Sequence, residues 1–392
     1  MTRIILPEKD RLGIADILRT HITDYQAQYP LYSEKRKIVY ELLNCRTPYL
    51  GGHVDRCNHC GAVRILYHSC RNRHCPTCQH VPRERWLEKR RSEILPVKYF
   101  HVVFTLPHEL NPIVLSHKKV MLGILFRAAS RTLLSFGENS LGGKLGFIAT
   151  LHTWDQKLRA HFHLHCLVAG GAVAKDGSGW TPCKGNYLFN EHALSVVFRG
   201  KFMERMGTAR QQGKIKLSGD EYNRLKADLY EKNWIIDVRD PVNNPEHVLE
   251  YLARYTHRVA IANSRILSLN NGMVTFMAKN RKKNRTEPIS ITAVEFIRRF
   301  LLHSLPEGFV RIRHYGFLAN RNRSENLKAI RQLMGLTDPP EKQTASVEQI
   351  MRELTGIDIT MCPCCHKGKM KLVFEIPQAR ARSPNPLAFL AA

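Results

Sequence analysis

The stretch "RAHFHLHCLVAGG", residues 159–171, sets His161, His163 and His165 at every second position of an otherwise apolar run. Successive side chains of a β-strand point to opposite faces, so Phe162, Leu164, Cys166 and Val168 pack into a core while the three imidazoles share the other face. Neighbouring histidines on one strand lie about 6.5–7 Å apart, so two rings can bend toward a shared ion about 2.1 Å from each. Three in line span about 13 Å and do not easily converge. The pattern predicts a divalent metal site with two ligands from this strand and a third from elsewhere. Further along, "EYLARYTHR" places Tyr251 and Tyr255 four apart, on one face of a helix, among Arg254, His257 and Arg258. A tyrosine pair beside a His-bound ion suits phosphoryl transfer, in which a Tyr oxygen attacks a phosphate and the ion stabilises the developing charge. A phenol titrating near 10 is a weak nucleophile, so metal and cationic neighbours must favour its deprotonation.

A second chemistry lies upstream. "HVDRCNHCGAVRILYHSCRNRHCPTCQHVPRERW" contains Cys57-x2-Cys60 and Cys75-x2-Cys78, fourteen residues apart. Two such knuckles supply the four thiolates of a tetrahedral zinc site, with Cys70, His68 or His74 within reach to replace one of them. Four thiolates leave no open coordination position, so this zinc is structural. Arg71, Arg73, Arg83 and Arg85 around it suggest a DNA-gripping module. Cys45, Cys166 and Cys183 stand alone and read as structural residues. "MCPCCHKGKM" adds Cys362, Cys364, Cys365 and His366 as one knuckle without an evident partner, and adjacent Cys364 and Cys365 cannot both ligate without strain.

These groups need elements to hold them. The chain has 392 residues, 60 Lys+Arg against 34 Asp+Glu, a net charge of +26, and an apolar share of 43%. Such a balance predicts a globular protein that attracts nucleic acid. No long apolar run and no signal-like N-terminus stand out, so the expectation is a cytoplasmic, nucleoid-associated prokaryotic protein without a membrane partner. The sequence assigns no oligomeric state and no small-molecule cofactor. Residues 1–50 read as helical and 51–95 as the zinc module. Residues 96–275 read as the main domain, with an insertion at about 172–233. In it, "KYFHVVFTL" is a strand, and a helix follows with Asn111 as N-cap and Pro112 at its first position. "KLGFIATLHTW" and the histidine strand form an antiparallel pair, "WIIDVRDP" is a further strand, and a helix capped by Asn244 carries the tyrosines. This order predicts an α+β fold, an antiparallel sheet with helices on one face, of split βαβ type. Residues 276–335 read as a basic, aromatic-interleaved segment that contacts DNA through Arg311, Arg313, His314, Arg321 and Arg323. Residues 336–392 read as a linker, the lone knuckle and a disordered tail.

"HLHCLVAGG" followed by "YLARYTHRVAIANSRI" resembles the HUH superfamily of single-strand endonucleases and, more narrowly, the two-tyrosine rolling-circle transposases of the insertion-sequence-91 family. "SCRNRHCPTCQ" and "EFIRRFLLHSLPEGFVRIRHYGFLANRNR" resemble the same family, so the likeness covers roughly residues 45–325. It implies that His163 and His165 are the motif pair for Mg2+ or Mn2+, with His161, His152 and Asp155 as candidates for the third ligand. It also implies Tyr251 and Tyr255 as nucleophiles, one holding a 5′ phosphate as a covalent ester and freeing a 3′-OH while the other cleaves a second strand. Arg254 and Arg258 would then meet the single-stranded DNA of element ends and target. A replication initiator or relaxase uses the same chemistry, and a non-catalytic zinc-ribbon nucleic-acid binder is the alternative of another class.

Overall fold

The computed structural model describes residues 4–5, 12–255, 259–280, 283–337 and 345–379, without the side chains of Pro245, Glu246, Tyr251, Leu252 and Arg254. The expected disordered tail therefore lies outside the described residues from position 380 onward. A two-residue strand β1 (Ile4–Ile5) precedes helices α1 (Ile14–Gln28) and α2 (Ser33–Leu43). Ile14, Ile17, Leu18, Ile22 and Tyr25 recur at helical spacing and are buried, and Asp16 accepts from the Gly13 backbone N–H at 3.0 Å to start α1. The zinc module follows as β2 (Gly52–Cys57), β3 (Val63–Tyr67) and the basic helix α3 (His80–Arg91).

The main sheet begins with β4 (Tyr99–Thr105). The expected single helix after it is broken into α4 (Asn111–Ser116) and α5 (Lys118–Leu141). Asn111 is not the cap: its side-chain amide donates to the Ala160 carbonyl at 3.2 Å, tying the helix start to the sheet. His117 breaks the helix at φ −125° and ψ 43°, and its ring accepts from the Lys216 N–H at 3.2 Å. Then come β5 (Gly143–Trp154), β6 (Ala160–Ala174) and β7 (Trp180–Pro182), the helices α6 (Glu191–Gln211) and α7 (Gly219–Glu231), and β8 (Ile236–Val242). The tyrosine helix α8 (Pro245–Tyr255) starts where Asn244 and Pro245 predict. Next are β9 (Ile266–Asn270), β10 (Met273–Asn280), β11 (Arg285–Thr292), α9 (Ala293–Leu302), β12 (Ile312–Gly316) and α10 (Arg323–Leu333). The last described elements are α11 (Val347–Thr355) and β13 (Met370–Ile376).

Among the described residues the strands form three sheets, ordered β12-β5-β6-β4-β8 with β7 beside β6, β11-β10-β9, and β1-β3-β2-β13. All pairs are antiparallel except β1 with β3. The protein is thus a mixed α+β fold with antiparallel sheets, as expected. The helices are not confined to one face of the main sheet, however. Phe100, Val102, Phe104, Phe147, Phe162, Leu164, Cys166 and Val168 form one face of it and pack against α4–α7. The opposite face carries Tyr99, Ile148, Leu167 and Ala169, covered by Trp86 and Leu87 of α3, Val248 of α8, and Leu327 and Ile330 of α10. Three more helices therefore cover that half of the second face, and the histidines occupy the rest. Helix α5 is long and apolar enough to cross a membrane, but most of it is buried against the sheet and α6. The 172–233 insertion joins the same core through Phe198, Phe202 and Met206.

The stretch read as a basic DNA-contacting segment supplies β12, which pairs with β5 from Ile312↔Thr150 to Gly316↔Gly146. Gly316 has φ +65°, and a Cβ there would overlap the Leu145 carbonyl oxygen. Gly308 has a similar φ of +69° with open space around it. Gly316→Ala is expected to destabilise the protein by at least ~2 kcal/mol, and Gly308→Ala by about 1 kcal/mol, in denaturant unfolding. Equal losses would show that backbone conformation alone, not the close approach of β12 to β5, sets the cost.

Candidate active site

Histidines on neighbouring strands come closer than histidines two apart on one strand, because directly opposed residues of an antiparallel pair are only about 4.5–5.5 Å apart. That geometry selects the third ring. His152 of β5 is the register partner of His163 on β6, and Thr150 is the partner of His165. One ring nitrogen from each of His152, His163 and His165 lies within 4.8 Å of the others. His152 and His163 are buried, and His165 is partly so. Of the three candidates for the third position, His161 is outside this group, although its ring centroid is 4.6 Å from that of His163. Asp155 is consumed by the β5–β6 turn: its carboxylate accepts from the Lys157 and Arg159 backbone N–H groups at 2.8 Å and pairs with the Arg159 guanidinium.

Each of the three rings has one nitrogen held by a hydrogen-bond partner. The Nε2–H of His152 donates to the Tyr255 carbonyl at 2.8 Å, and the Nδ1–H of His163 donates to the His161 carbonyl at 3.0 Å. Carbonyls only accept, so these bonds fix the tautomers and leave the lone pair on Nδ1 of His152 and on Nε2 of His163. Nδ1 of His165 lies 2.8 Å from Nε2 of His101, a residue of β4 that is 2% exposed. Burial pushes His101 down to about 3 and, with the neighbouring His152, His163 and His101, holds His165 well below the usual histidine range. His101 and His165 are therefore neutral at physiological pH, and neutral imidazole is the form that ligates a metal.

His101 is the site residue that the sequence reading missed. The only local signal is a single polar ring inside the apolar run "YFHVVFT", which acquires meaning once β4 is paired with β6. Outer hydrogen-bond partners of metal-bound histidines set ligand orientation. His101→Ala is expected to weaken divalent-ion binding at the three histidines by about 10–100-fold, and His101→Gln to recover part of that. Calorimetric titration with Mn2+ checks this, and unchanged affinity in His101→Ala would remove His101 from the site.

Tyr255 lies directly against this cluster. Its ring centroid is 4.3 Å from His165, 5.3 Å from His101 and 5.9 Å from His152. It is the last residue of α8, where backbone carbonyls lack helical partners, and its own carbonyl takes the His152 bond. One residue thus presents a phenol and orients His152. Tyr251 and Arg254 lie within α8, but their side chains are outside the described residues, and His257 and Arg258 lie outside them altogether.

The candidate DNA contacts are scattered. Arg321 is exposed in the turn before α10. Arg313 stacks on Phe126 at 4.0 Å, on the face of the sheet away from the histidines. His314 lies 3.2 Å from Arg90, and Arg323 pairs with Glu93 at 3.1 Å, so both join an internal network with Arg90 and Glu93. Burial lowers His314 to about 4. Arg311 is partly buried, pushed down to about 10 by its surroundings and by Arg73. Arg73 is itself a brace, donating to the Phe309 carbonyl at 2.6 Å and the Pro306 carbonyl at 3.1 Å.

The cysteines correct the expected pairing. Cys57-x2-Cys60 and Cys75-x2-Cys78 do not face each other. Cys75 and Cys78 gather with Cys70 and Cys45, and Cys57 and Cys60 gather with Cys362 and Cys365. In the first group the Cys45–Cys78 sulfurs are 3.4 Å apart, and Cys70–Cys78 and Cys75–Cys45 are 3.7 Å apart. A zinc tetrahedron with Zn–S bonds of about 2.3 Å has edges of about 3.8 Å, and a disulfide is far shorter at about 2.05 Å. Cys70 is therefore a full member of the group. Cys45, expected to stand alone, is its fourth. Sequence spacing identifies each knuckle but carries no information on its partner, because the partner is chosen by how α2 ends.

An antiparallel α+β protein with buried zinc-type thiolate geometry and a histidine–tyrosine cluster is the setting in which the comparisons with known proteins fall. Residues 17–106 match the transposase zinc-binding domain of the IS91 type, and residues 146–326 match the Y2_Tnp family, described as "Putative transposase". The chain belongs to the IS91 family of transposases, enzymes that cut DNA and transfer its strands. It is 42% identical over 372 residues to "Putative transposase y4qJ" of Sinorhizobium fredii, covering 91% of this chain and 94% of that one. It is 25% identical over 338 residues to "Transposase for insertion sequence element IS801" of Pseudomonas savastanoi pv. phaseolicola, covering 83% and 80%. No solved structure matches the chain. The first cysteine group lies wholly within the zinc-binding match.

Proposed function

We propose that this transposase cleaves and rejoins single-stranded DNA through a 5′-phosphotyrosyl intermediate on Tyr255, in a nuclease domain of HUH type, during rolling-circle transposition. The observation that carries the proposal is the Tyr255 ring 4.3 Å from His165, on the sheet face that also gathers His152 and His163. The three histidines would hold Mg2+ or Mn2+, which when bound polarises the nonbridging oxygens of the scissile phosphate. The imidazoles fit that role, since each is oriented by a hydrogen bond at one ring nitrogen.

The chain's own part is nucleophile and alignment. The Tyr255 phenol gives up its proton, its oxygen bonds to phosphorus, the P–O3′ bond breaks, and the departing 3′ oxygen takes up a proton. The phosphodiester is conserved as a tyrosyl ester, so a second 3′-OH can reverse the exchange without a nucleotide triphosphate. Tyr251, one helical turn earlier, would supply the second cleavage. The net charge of +26 favours a polyanion, and a sheet face flanked by α3, α8 and α10 suits a flexible single strand.

The test incubates the full chain with single-stranded and duplex oligonucleotides carrying its element's ends, in Mg2+ or Mn2+, followed by a denaturing gel. A slow-migrating covalent adduct is expected with the single strands only, and EDTA is expected to abolish it. Tight binding without an adduct would leave a non-catalytic zinc-ribbon binder in place of the nuclease.

A further inference from the structure

The second cysteine group joins residues from opposite ends of the chain. Cys57 lies 3.7 Å from Cys365 and Cys60 lies 3.7 Å from Cys362, across sequence separations of 308 and 302. These spacings match the edge of a zinc–thiolate tetrahedron, about 3.8 Å for Zn–S bonds of about 2.3 Å. The two halves are built alike. In one, the backbone N–H groups of His59 and Cys60 donate to the Cys57 sulfur at 3.4 Å, and Gly61 follows with φ 71°. In the other, the Cys364 N–H donates to the Cys362 sulfur at 3.4 Å, and His366 follows with φ 51°. Gly368 N–H donates to Cys365 at 3.4 Å. Backbone dipoles aimed at sulfur favour the thiolate, the form that binds metal.

We infer that Cys57, Cys60, Cys362 and Cys365 form a second tetrathiolate zinc site, a clasp that fastens the C-terminal segment 345–376 onto the N-terminal module. The site takes a soft, tetrahedral divalent ion and is separate from the Cys45, Cys70, Cys75 and Cys78 group. Half of its ligands fall outside residues 17–106, the span of the zinc-binding family match.

Apolar packing of β13 gives the segment little hold. β13 is an edge strand paired with β2, and its Leu372, Val373 and Phe374 are 57%, 53% and 59% exposed. The cluster beneath consists of Cys57, Ala62 and Cys362, with Ile5, Cys364, Cys365 and Met370 at its margin, so its centre is largely sulfur. Small units with so little apolar core depend on metal or disulfide staples. The fit is close at one more point: a Cβ on Gly368 would meet the Cys57 sulfur at 2.5 Å, and Asn58 accepts from the Lys369 N–H at 2.8 Å. The clasp also seats α11 against α3, which in turn packs on the tyrosine helix α8.

Zinc content and native thiol alkylation of the full chain test the inference. Two zinc ions per chain are expected by elemental analysis, and one in Cys362→Ser/Cys365→Ser. In the unmodified protein, iodoacetamide followed by mass spectrometry is expected to label Cys364 early. Cys57, Cys60, Cys362 and Cys365 are expected to stay protected and to become reactive together on chelation. That second readout needs no variant, so a variant that fails to fold does not decide the matter. One zinc per chain in the unmodified protein, or Cys362 and Cys365 labelled as fast as Cys364 while Cys57 and Cys60 stay protected, would overturn the clasp.

Discussion

Tyr255→Phe is expected to eliminate covalent capture of single-stranded DNA, by a factor on the order of 10,000 or more, the scale on which enzymes lose a nucleophile. The substitution removes one oxygen and keeps the ring that lies tilted against His165. It also keeps the backbone carbonyl that orients His152, so the three histidines stay in place. Mn2+ binding should therefore change less than about threefold while the adduct disappears, since none of the three histidines is altered. Tyr251→Phe is expected to behave differently: the first adduct persists and joined products fall, because the second cleavage is lost. Both are read from one gel of adduct and strand-transfer product against time. Equal, full adduct formation in Tyr255→Phe would assign the nucleophile elsewhere.

The second large effect concerns the first cysteine group. Cys75→Ser is expected to cost one bound zinc and to destabilise the N-terminal unit by on the order of 5 kcal/mol, a fraction of the ~10–16 kcal/mol that structural zinc supplies to small modules. Cys75 is 3% exposed and packs in the same cluster as Ile14, Ile17 and Leu18 of α1 and Phe296 and Phe300 of α9. Loss of the ion should therefore loosen α1, α2 and the β9–β11 sheet together, seen as a lower thermal midpoint and faster trypsin cleavage. Cys364→Ser, at a cysteine outside both groups, is expected to change neither zinc content nor midpoint. Full zinc occupancy in Cys75→Ser would contradict the assignment.

Local patterns were readable in the sequence, and long-range choices were not. The alternation of His163 and His165 with Phe162, Leu164 and Cys166 fixed the strand and its two faces, and the β5–β6 pairing followed from two strands joined by a polar turn. His152 was visible as a candidate, but only the register His152↔His163 ranks it above His161 and Asp155. His101 had no pattern of its own, since its role depends on β4 lying beside β6. The same holds for sulfur. A Cys-x2-Cys knuckle is a local structure, whereas its partner depends on where the chain returns. Here the return is made by Cys45 at the end of α2 and by a tail that comes back about three hundred residues later to pair with β2. The Arg and His residues of "RIRHYGFLANRNR" signalled a need for anions, and Glu93 supplies part of it from within the protein.

The most direct measurement is to trap the covalent complex, digest both protein and DNA, and sequence the nucleotide-bearing peptide by mass spectrometry. The account predicts a phosphodiester on Tyr255, joined to the 5′ end of the cleaved strand, formed only with a divalent ion. A modified serine or histidine peptide, or cleavage products carrying no protein at all, would contradict it.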